Sequence, residues 1–113
     1  MSTIFTKIIN KEIDSNIVYE DNNVVAFTDI NPVAPIHILI IPRKEIPTVN
    51  DIKESDKILI GDMFLAAKKI AEKYKINQTG YRLVFNCNED AGQTVFHIHM
   101  HLIGGRKLNW PPG

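Results

Sequence analysis

One stretch of this 113-residue chain alternates histidine with apolar residues: Phe96-His97-Ile98-His99-Met100-His101-Leu102-Ile103. Successive side chains of a β-strand point to opposite faces of the sheet. We therefore predict a strand over residues 94–103, with the three histidines on one face and the apolar residues on the other. The apolar row is sufficient to hold the strand on a core, so the histidine face is free for chemistry near neutral pH.

The rest of the chain predicts a single domain over residues 1–113. A short amphipathic helix, capped by Ser2 or Thr3, opens the chain, and a long helix covers residues 55–75. The other predicted strands cover residues 16–20, 24–30, 36–41 and 81–86. The third of these strands is almost wholly apolar, which predicts cover on both of its faces. The fold class is α+β, with a five-stranded, mainly antiparallel sheet, one long helix and a short N-terminal helix.

Composition excludes several partners. Lys and Arg number 13 and Asp and Glu number 13, and a net charge of zero argues against a nucleic-acid partner bound through its phosphates. The longest apolar run, residues 38–41, is far below the roughly 20 residues of a membrane helix, so we expect no membrane partner. The single Cys87 and the lack of a secretory signal predict a cytoplasmic protein, with the nucleus as a second location.

Three interpretations of the histidine face stay open at this point. The first is a solvent-facing polar edge. The second is a zinc site, which would need a third ligand such as His37, because His97 and His101 are about 13 Å apart along a strand. The third is covalent catalysis on phosphorus, in which an imidazole splits one difficult displacement into two easier ones.

The third interpretation fits best and requires no metal ion and no cofactor. His99 lies between two like rings, which could donate to phosphate oxygens and stabilise the developing charge. Its attacking nitrogen must keep a lone pair, so the other ring nitrogen has to be fixed as a donor.

The turn before the histidines suits an anionic ligand. Successive amides of Gly92-Gln93-Thr94 could form an anion-binding concavity, and Thr94 adds a hydroxyl near the reacting group. The alternative is that Gly92 only permits a tight turn.

The sequence from His97 to Ile103 resembles the signature of the histidine triad family, and the chain is similar to its nucleotide-binding branch over nearly its whole length. Further stretches that resemble this branch are Ile4-Phe5-Thr6-Lys7-Ile8-Ile9, Phe27-Thr28-Asp29-Ile30-Asn31-Pro32, Ala34-Pro35-Ile36-His37, Gly92-Gln93-Thr94-Val95-Phe96, Gly104-Gly105-Arg106 and Trp110-Pro111-Pro112-Gly113. Two departures are visible. Cys87 is the only cysteine, so the structural zinc of some relatives is expected to be absent, and Thr94 stands where serine is common.

The resemblance implies a homodimeric hydrolase. It would cleave the P–N bond of purine nucleoside 5′-phosphoramidates through a nucleotidyl-histidine intermediate, with a purine nucleoside monophosphate or phosphoramidate as ligand. His99 would be the nucleophile, oriented by the His97 backbone, and Asp29 would hold the ribose hydroxyls. The implied catalytic set is His37, Thr94, His97, His99 and His101. The implied nucleotide-binding set is Ile4, Phe5, Ile8, Phe27, Asp29, Ile30, Leu39, Asn86, Gly92, Gln93, Thr94, Val95, His99, His101 and Trp110, the last reaching toward a second copy's site.

Alternatives stand beside these assignments. Phe27, Ile30 and Leu39 could be ordinary core residues, and Asp29 could be only a turn former. The rival functions are a nucleotide-binding scaffold or regulatory protein with incidental hydrolysis, and a dinucleoside polyphosphate hydrolase.

Overall fold

The computed structural model describes residues 3–113. Within them lie two α-helices, α1 (Ile4–Ile9) and α2 (Lys57–Lys73). The strands are β1 (Ile17–Glu20), β2 (Val24–Thr28), β3 (Ile36–Pro42), β4 (Tyr81–Phe85) and β5 (Met100–Gly104). Short 3₁₀ turns cover Val49–Asp51, Glu54–Asp56 and Glu89–Ala91. The predicted α+β class is confirmed.

The five strands form a sheet in the order β1-β2-β3-β5-β4, and each neighbouring pair is antiparallel. The central pair, β3 and β5, aligns Leu39 with His101 and Ile40 with Met100. Because side chains alternate, Leu39 and His101 face one side of the sheet and Ile40 and Met100 face the other.

Apolar residues cover both faces of the sheet, as the sequence of β3 predicted. Ile38 and Ile40 belong to the cluster under α2, whereas Leu39 and Ile41 belong to the cluster under α1. The α2 cluster also contains Val24, Ala26, Met63, Ala66, Ala67, Ile70, Met100 and Leu102. The α1 cluster also contains Phe5, Ile8, Val25 and Phe27.

The helix ends differ slightly from the predicted ones. The Thr3 side chain caps α1 by accepting from the Thr6 amide at 3.3 Å, and the alternative cap, Ser2, lies outside the described residues. Helix α2 is shorter than predicted at both ends, because a 3₁₀ turn precedes it and Lys75 adopts the left-handed conformation (φ 61°). Neither helix within residues 3–113 combines the length and the apolar character that crossing a bilayer demands.

The predicted last strand is wrong in its first six residues. Strand β5 begins at Met100, which pairs with Ile40 of β3 and with Phe85 of β4. The preceding residues of the predicted strand pair with neither β3 nor β4. Residues 94–99 therefore have no strand to pair with on either side. Phe96, predicted to face the core, is 45% exposed, whereas Ile98 is buried in the α2 cluster.

Gly104 at the end of β5 is packed closely against Ile76 and Tyr81, and a substitution there tests this packing. A Cβ at this position would lie 2.8 Å from Ile76 Cδ1 and 3.3 Å from Tyr81 Cβ. We expect Gly104→Ala to lower the free energy of unfolding by about 1–3 kcal/mol through overpacking. Gly113→Ala is the control, since a Cβ there has no neighbour within 4 Å among the described residues. Equal urea midpoints for the two variants would contradict the packing at Gly104.

Candidate active site

The middle histidine, His99, is held by the backbone of His97. Its Nδ1 lies 2.9 Å from the His97 carbonyl oxygen, which can only accept, so Nδ1 carries the proton. The neutral ring then keeps its lone pair on Nε2. This is the protonation state that attack on phosphorus requires, and the resemblance implied this same backbone contact.

A second series of hydrogen bonds gives the third histidine the opposite tautomer. The Val33 amide donates to Nδ1 of His37 over 3.2 Å, so neutral His37 carries its proton on Nε2. This Nε2 lies 2.9 Å from Nδ1 of His101, which must accept. Neutral His101 therefore carries its proton on Nε2. A donor on His101 thus accompanies a lone pair on His99, with the two ring centroids 5.0 Å apart.

Strand register brings His37 and His101 together. Leu39 of β3 is aligned with His101 of β5, and His37 lies two residues from Leu39 on the same face. His37 and His101 are therefore diagonal neighbours on adjacent strands, with ring centroids 5.2 Å apart.

The first histidine is closed off from any ligand. The His97 ring is 0% exposed, and its Nε2 donates to the Pro42 carbonyl at 2.7 Å. Donation from this ring to a phosphate oxygen, which strand alternation predicted, is therefore wrong. His99 keeps 7% of its surface exposed and His101 is half-buried, so these two rings share the accessible side.

Burial keeps the three imidazoles of residues 97–101 neutral. Loss of solvent lowers the pKa of His97 and of His99 below the ordinary histidine value, although a backbone hydrogen bond opposes the shift in each case. The pKa of His101 falls to about 4, because of burial first and then of repulsion from His99 and His37. The tautomers given above for His99 and His101 are thus those of the neutral rings that burial favours.

Helix α1 covers the imidazoles. The Phe5 ring meets His99 edge to face at a centroid distance of 5.0 Å and meets Phe27 at 5.4 Å. Four residues that the resemblance assigned to the base pocket, Phe5, Ile8, Phe27 and Leu39, form the buried cluster under α1. The ordinary-core alternative therefore describes Phe27 and Leu39. It is wrong for Ile30, which is 90% exposed, and Ile4 is also exposed.

Asp29 is a turn former and also a neighbour of the histidines. Its Oδ1 accepts from the Asn31 amide at 2.8 Å, as the turn alternative predicted. Its Oδ2 lies 3.4 Å from Nε2 of His37, and the side chain stays partly accessible. The carboxylate therefore combines a structural bond with a free edge beside the imidazoles.

One group within residues 3–113 has the spacing of metal ligands. Ligand atoms of Asp29, His37 and His101 all lie within 4.8 Å of one another. An ion on Nε2 of His37 would require the ring proton on Nδ1, where the Val33 amide already donates. The hydrogen bonds therefore oppose the zinc alternative that used His37, and the absence of a metal stays a prediction.

The turn at residues 92–94 is mostly satisfied internally. The Gly92 amide donates to the Glu89 carbonyl at 2.9 Å, and the Gln93 amide donates to the Asn88 carbonyl at 3.1 Å. Two of the three amides of the predicted anion concavity are therefore engaged, which is a correction. The tight-turn alternative describes Gly92, whose φ is +88°.

The polar atoms of the Gln93 side chain are also hydrogen-bonded within the protein. It is buried, and its Nε2 donates to the carbonyls of Pro47 and Val95 at 2.8 and 3.1 Å. Its Oε1 accepts from the Asn88 amide at 2.8 Å. Gln93, which the resemblance assigned to the nucleotide-binding set, therefore makes structural bonds with its side chain.

The remaining predicted site residues surround this turn or lie in the tail. Thr94 is exposed, Val95 is half-buried against the α1 cluster, and Asn86 is half-buried just after β4. Trp110 is 79% exposed, with the Arg82 guanidinium 5.8 Å from its ring centroid. Its implied role toward a second copy's site stays a prediction.

Sequence reasoning did not identify the backbone groups that hold the site. The Val33 amide and the Pro42 carbonyl determine ring states and positions, yet each is a group that almost every residue carries. Which amide and which carbonyl meet an imidazole depends on the path of the loop before β3 and of residues 94–99 before β5.

The fold and the site define a class of α+β proteins that hold neutral imidazoles, in fixed tautomers, on one face of an antiparallel sheet. The HIT domain family model matches residues 10–108, and the chain belongs to the histidine triad family.

Relatives and solved structures agree with this membership. The chain is 57% identical to the purine nucleoside phosphoramidase of Escherichia coli (strain K12), over 94% of this chain and 89% of that protein. It is 50% identical to an uncharacterized HIT-like protein of Buchnera aphidicola subsp. Baizongia pistaciae, over 94% of this chain and 95% of that protein. The crystal structure of a HIT family hydrolase from Legionella pneumophila Philadelphia 1 superposes with a TM-score of 0.97 at 49% identity, covering 99% of this chain and all 100% of that one.

The lowered pKa of His101 predicts an acid-labile contribution to stability. The folded protein binds fewer protons than the unfolded chain between the ordinary histidine pKa, about 6.5, and the folded value of about 4. The contribution of neutral His101 to the free energy of unfolding is complete above about pH 6.5 and is lost as the pH falls toward 4. We expect the Tm of wild type to fall more steeply over this range than that of His101→Gln.

Asn77→Gln, an exposed substitution without a titrating group, is the control and should follow wild type. A Tm difference between wild type and His101→Gln that stays constant from pH 7.5 to 4.5 would contradict the lowered pKa.

Proposed function

We propose that this chain hydrolyses the P–N bond of purine nucleoside 5′-phosphoramidates through a nucleotidyl intermediate on His99. The observation that carries the proposal is the pair of opposite tautomers, with a lone pair on Nε2 of His99 and a proton on Nε2 of His101. A relative at 57% identity is a purine nucleoside phosphoramidase, which supports the same chemistry.

In the first step Nε2 of His99 attacks phosphorus, a P–Nε2 bond forms, and the P–N bond to the amine breaks. The attacking ring becomes cationic, and the His97 carbonyl stabilises it through the bond from Nδ1. His101 donates to a phosphate oxygen from Nε2, and the Thr94 hydroxyl lies on the side of the departing nitrogen. This nitrogen takes a proton from solvent, which the proton released by the attacking water in the second step replaces, and it leaves as an amine.

In the second step water attacks the same phosphorus. The new P–O bond replaces P–Nε2, the water loses a proton, and His99 returns to its neutral tautomer. The products are the nucleoside monophosphate and the amine. A neutral imidazole suits this exchange because it approaches an anionic phosphate without charge repulsion and is itself a good leaving group.

Nucleotide recognition is assigned to residues around the imidazoles. The free edge of Asp29 accepts from the ribose hydroxyls, since a carboxylate accepts several hydrogen bonds. The base packs against α1 and its neighbours, and Asn86 contacts the sugar and phosphate. The proposed base-lining residues are Ile4, Phe5, Ile8 and Ile30, with Val95 beside them, and the core residues Phe27 and Leu39 pack behind Phe5 and Ile8.

Substitution of the nucleophile tests the reaction. We expect His99→Ala to lower turnover of adenosine 5′-monophosphoramidate by at least about a thousandfold, because the covalent route is lost. Its affinity for AMP, measured by calorimetry, should stay near that of wild type. Asn77→Gln is the control and should turn over normally, and excess EDTA should leave the wild-type rate unchanged.

Other outcomes favour the rivals. Turnover that survives in His99→Ala would show that the nucleophile is misassigned, and inactivation by EDTA would favour the zinc alternative. Tight AMP binding by wild type without turnover would favour a nucleotide-binding scaffold or regulatory protein. Faster cleavage of diadenosine triphosphate than of the phosphoramidate would favour a dinucleoside polyphosphate hydrolase.

The homodimer is a further part of the proposal. Of the two edge strands, β1 is irregular and its Val18 carbonyl accepts from the Lys73 ammonium at 3.1 Å. The other edge, β4, is regular, and the ring of Phe64 on α2 lies 6.3 Å from that of Phe85 on β4. Phe64 is exposed, as are Ile58 and Leu65 elsewhere on α2. An open edge beside an exposed apolar helix face suits pairing with a second copy. The exposed Trp110 would then extend toward the neighbouring site.

Location in the cytoplasm, with the nucleus as a second compartment, belongs to the proposal as well.

A charge on this face should separate the copies. We expect Leu65→Lys to shift wild-type dimers toward monomers in sedimentation velocity, because the buried ammonium is costly. Ile13→Lys is the matched control, an exposed apolar residue before β1, and should remain dimeric. A monomeric wild type, or equal behaviour of both variants, would contradict the proposed interface.

A further inference from the structure

Residues 93–99 carry the nucleophile but belong to no helix or strand. Pairing of β5 with β3 and with β4 stops at Met100. His99 must nevertheless be held closely, because its Nδ1 bond to His97 selects the reactive tautomer. Contacts outside the sheet therefore have to fix this segment.

Three hydrogen bonds connect residues 93–99 to residues 42–47, a segment that begins with Pro42, the last residue of β3. The His97 ring donates to the Pro42 carbonyl at 2.7 Å, and the Ile98 amide donates to the Ile46 carbonyl at 2.7 Å. The Gln93 amide group donates to the Pro47 carbonyl at 2.8 Å. The bonds thus reach the first residue and the last two residues of 42–47.

The register of the sheet explains why these carbonyls are available. On the β2 side, β3 is paired as far as Pro42, which aligns with Val24. On the β5 side, its pairing ends two residues earlier, at Ile40. The Pro42 carbonyl accepts from a side chain, the His97 ring, at the point where a strand partner is missing.

Packing alone does not account for an imidazole at position 97. The ring is fully buried, and its Nδ1 has no hydrogen-bond partner within the described residues. An unpartnered buried nitrogen is unfavourable, and an apolar side chain would avoid it. What histidine adds is the Nε2 proton donated to Pro42.

The same segment also holds α1. Oε1 of Glu45 accepts from the Thr6 hydroxyl at 2.6 Å. Phe5, the neighbour of Thr6, contacts both the His97 and the His99 rings, with centroids 6.1 and 5.0 Å away. Residues 42–47 therefore hold His97, whose carbonyl binds the His99 ring, and they also hold α1, whose Phe5 ring packs against His99.

We propose that residues 42–47 are the positioning element of the active site, and that the His97 ring and the Gln93 amide group are the positioning residues through which it acts on His99. The inference rests on the proposed function for its kinetic readout. The effect is transmitted from the Pro42 carbonyl to the His97 ring, and from the His97 carbonyl to the His99 ring. Neither positioning side chain contacts the ligand.

A matched pair at position 97 tests this proposal. His97→Gln keeps an amide N–H that can reach the Pro42 carbonyl, whereas His97→Leu fills the space without a donor. We expect His97→Leu to lower kcat for adenosine 5′-monophosphoramidate by roughly 10- to 100-fold, the usual effect of a small misplacement. The affinity for AMP should stay near wild type, and His97→Gln should recover most of kcat.

A second readout does not depend on activity. The His99 Nδ1 proton, followed by NMR, should exchange with solvent faster in His97→Leu than in wild type or His97→Gln. If wild type proves inactive, the proposed function fails while this comparison still tests the positioning. If His97→Leu does not fold, Gln93→Met, which loses the bond to Pro47, should show the same loss of kcat and faster exchange.

Unchanged kcat and unchanged exchange in His97→Leu, or in Gln93→Met where it is the variant that folds, would overturn the proposal. Parallel loss of AMP affinity and kcat with unchanged exchange would overturn it too, because these side chains would then serve ligand binding. Equal impairment of His97→Gln and His97→Leu would show that the bond to Pro42 is not what matters.

Discussion

Backbone groups that cannot change their own protonation state determine the protonation states of the imidazoles. The Val33 amide can only donate, so His37 must accept at Nδ1, and the His97 carbonyl can only accept, so His99 must donate from Nδ1. The state of His101 follows from that of His37. Since burial disfavours the cationic forms, one ring offers a lone pair and its neighbour offers a proton without help from an ion.

The fold makes this arrangement possible through the antiparallel pairing of β3 and β5. Their register places His37 and His101 as diagonal neighbours on the face under α1. On the opposite face, Met100 and Leu102 pack into the cluster under α2 and anchor the strand. Burial under α2 therefore anchors β5, and the α1 face, which has an apolar cluster of its own, also carries the positioned imidazoles.

Much of the fold followed from side-chain patterns. The apolar β3 predicted a strand covered on both faces, and the three- and four-residue spacing of Met63, Ala66, Ala67 and Ile70 predicted the buried face of α2. The alternation around His99 correctly placed Met100 and Leu102 in the core. It was wrong for Phe96, because a period of two describes side chains only while the backbone stays in a strand.

The candidate site was predictable in its residue types but not in its bonds. Clustering identified the histidines, and the resemblance supplied His37 and Asp29, which the structure places beside His101. The engagement of the His97 ring by Pro42 and of the Gln93 amide group by Pro47 was not predictable, because carbonyl acceptors leave no mark in a sequence. The same reason explains why the turn at Gly92 was interpreted as an anion cradle, although its amide is already bonded.

The ¹⁵N chemical shifts of the ring nitrogens of His99 and His101 at neutral pH report directly which nitrogen of each ring carries the proton. We expect opposite tautomers, with the proton of His99 on Nδ1 and that of His101 on Nε2. The same tautomer on both rings, or a cationic ring at either position, would contradict this expectation.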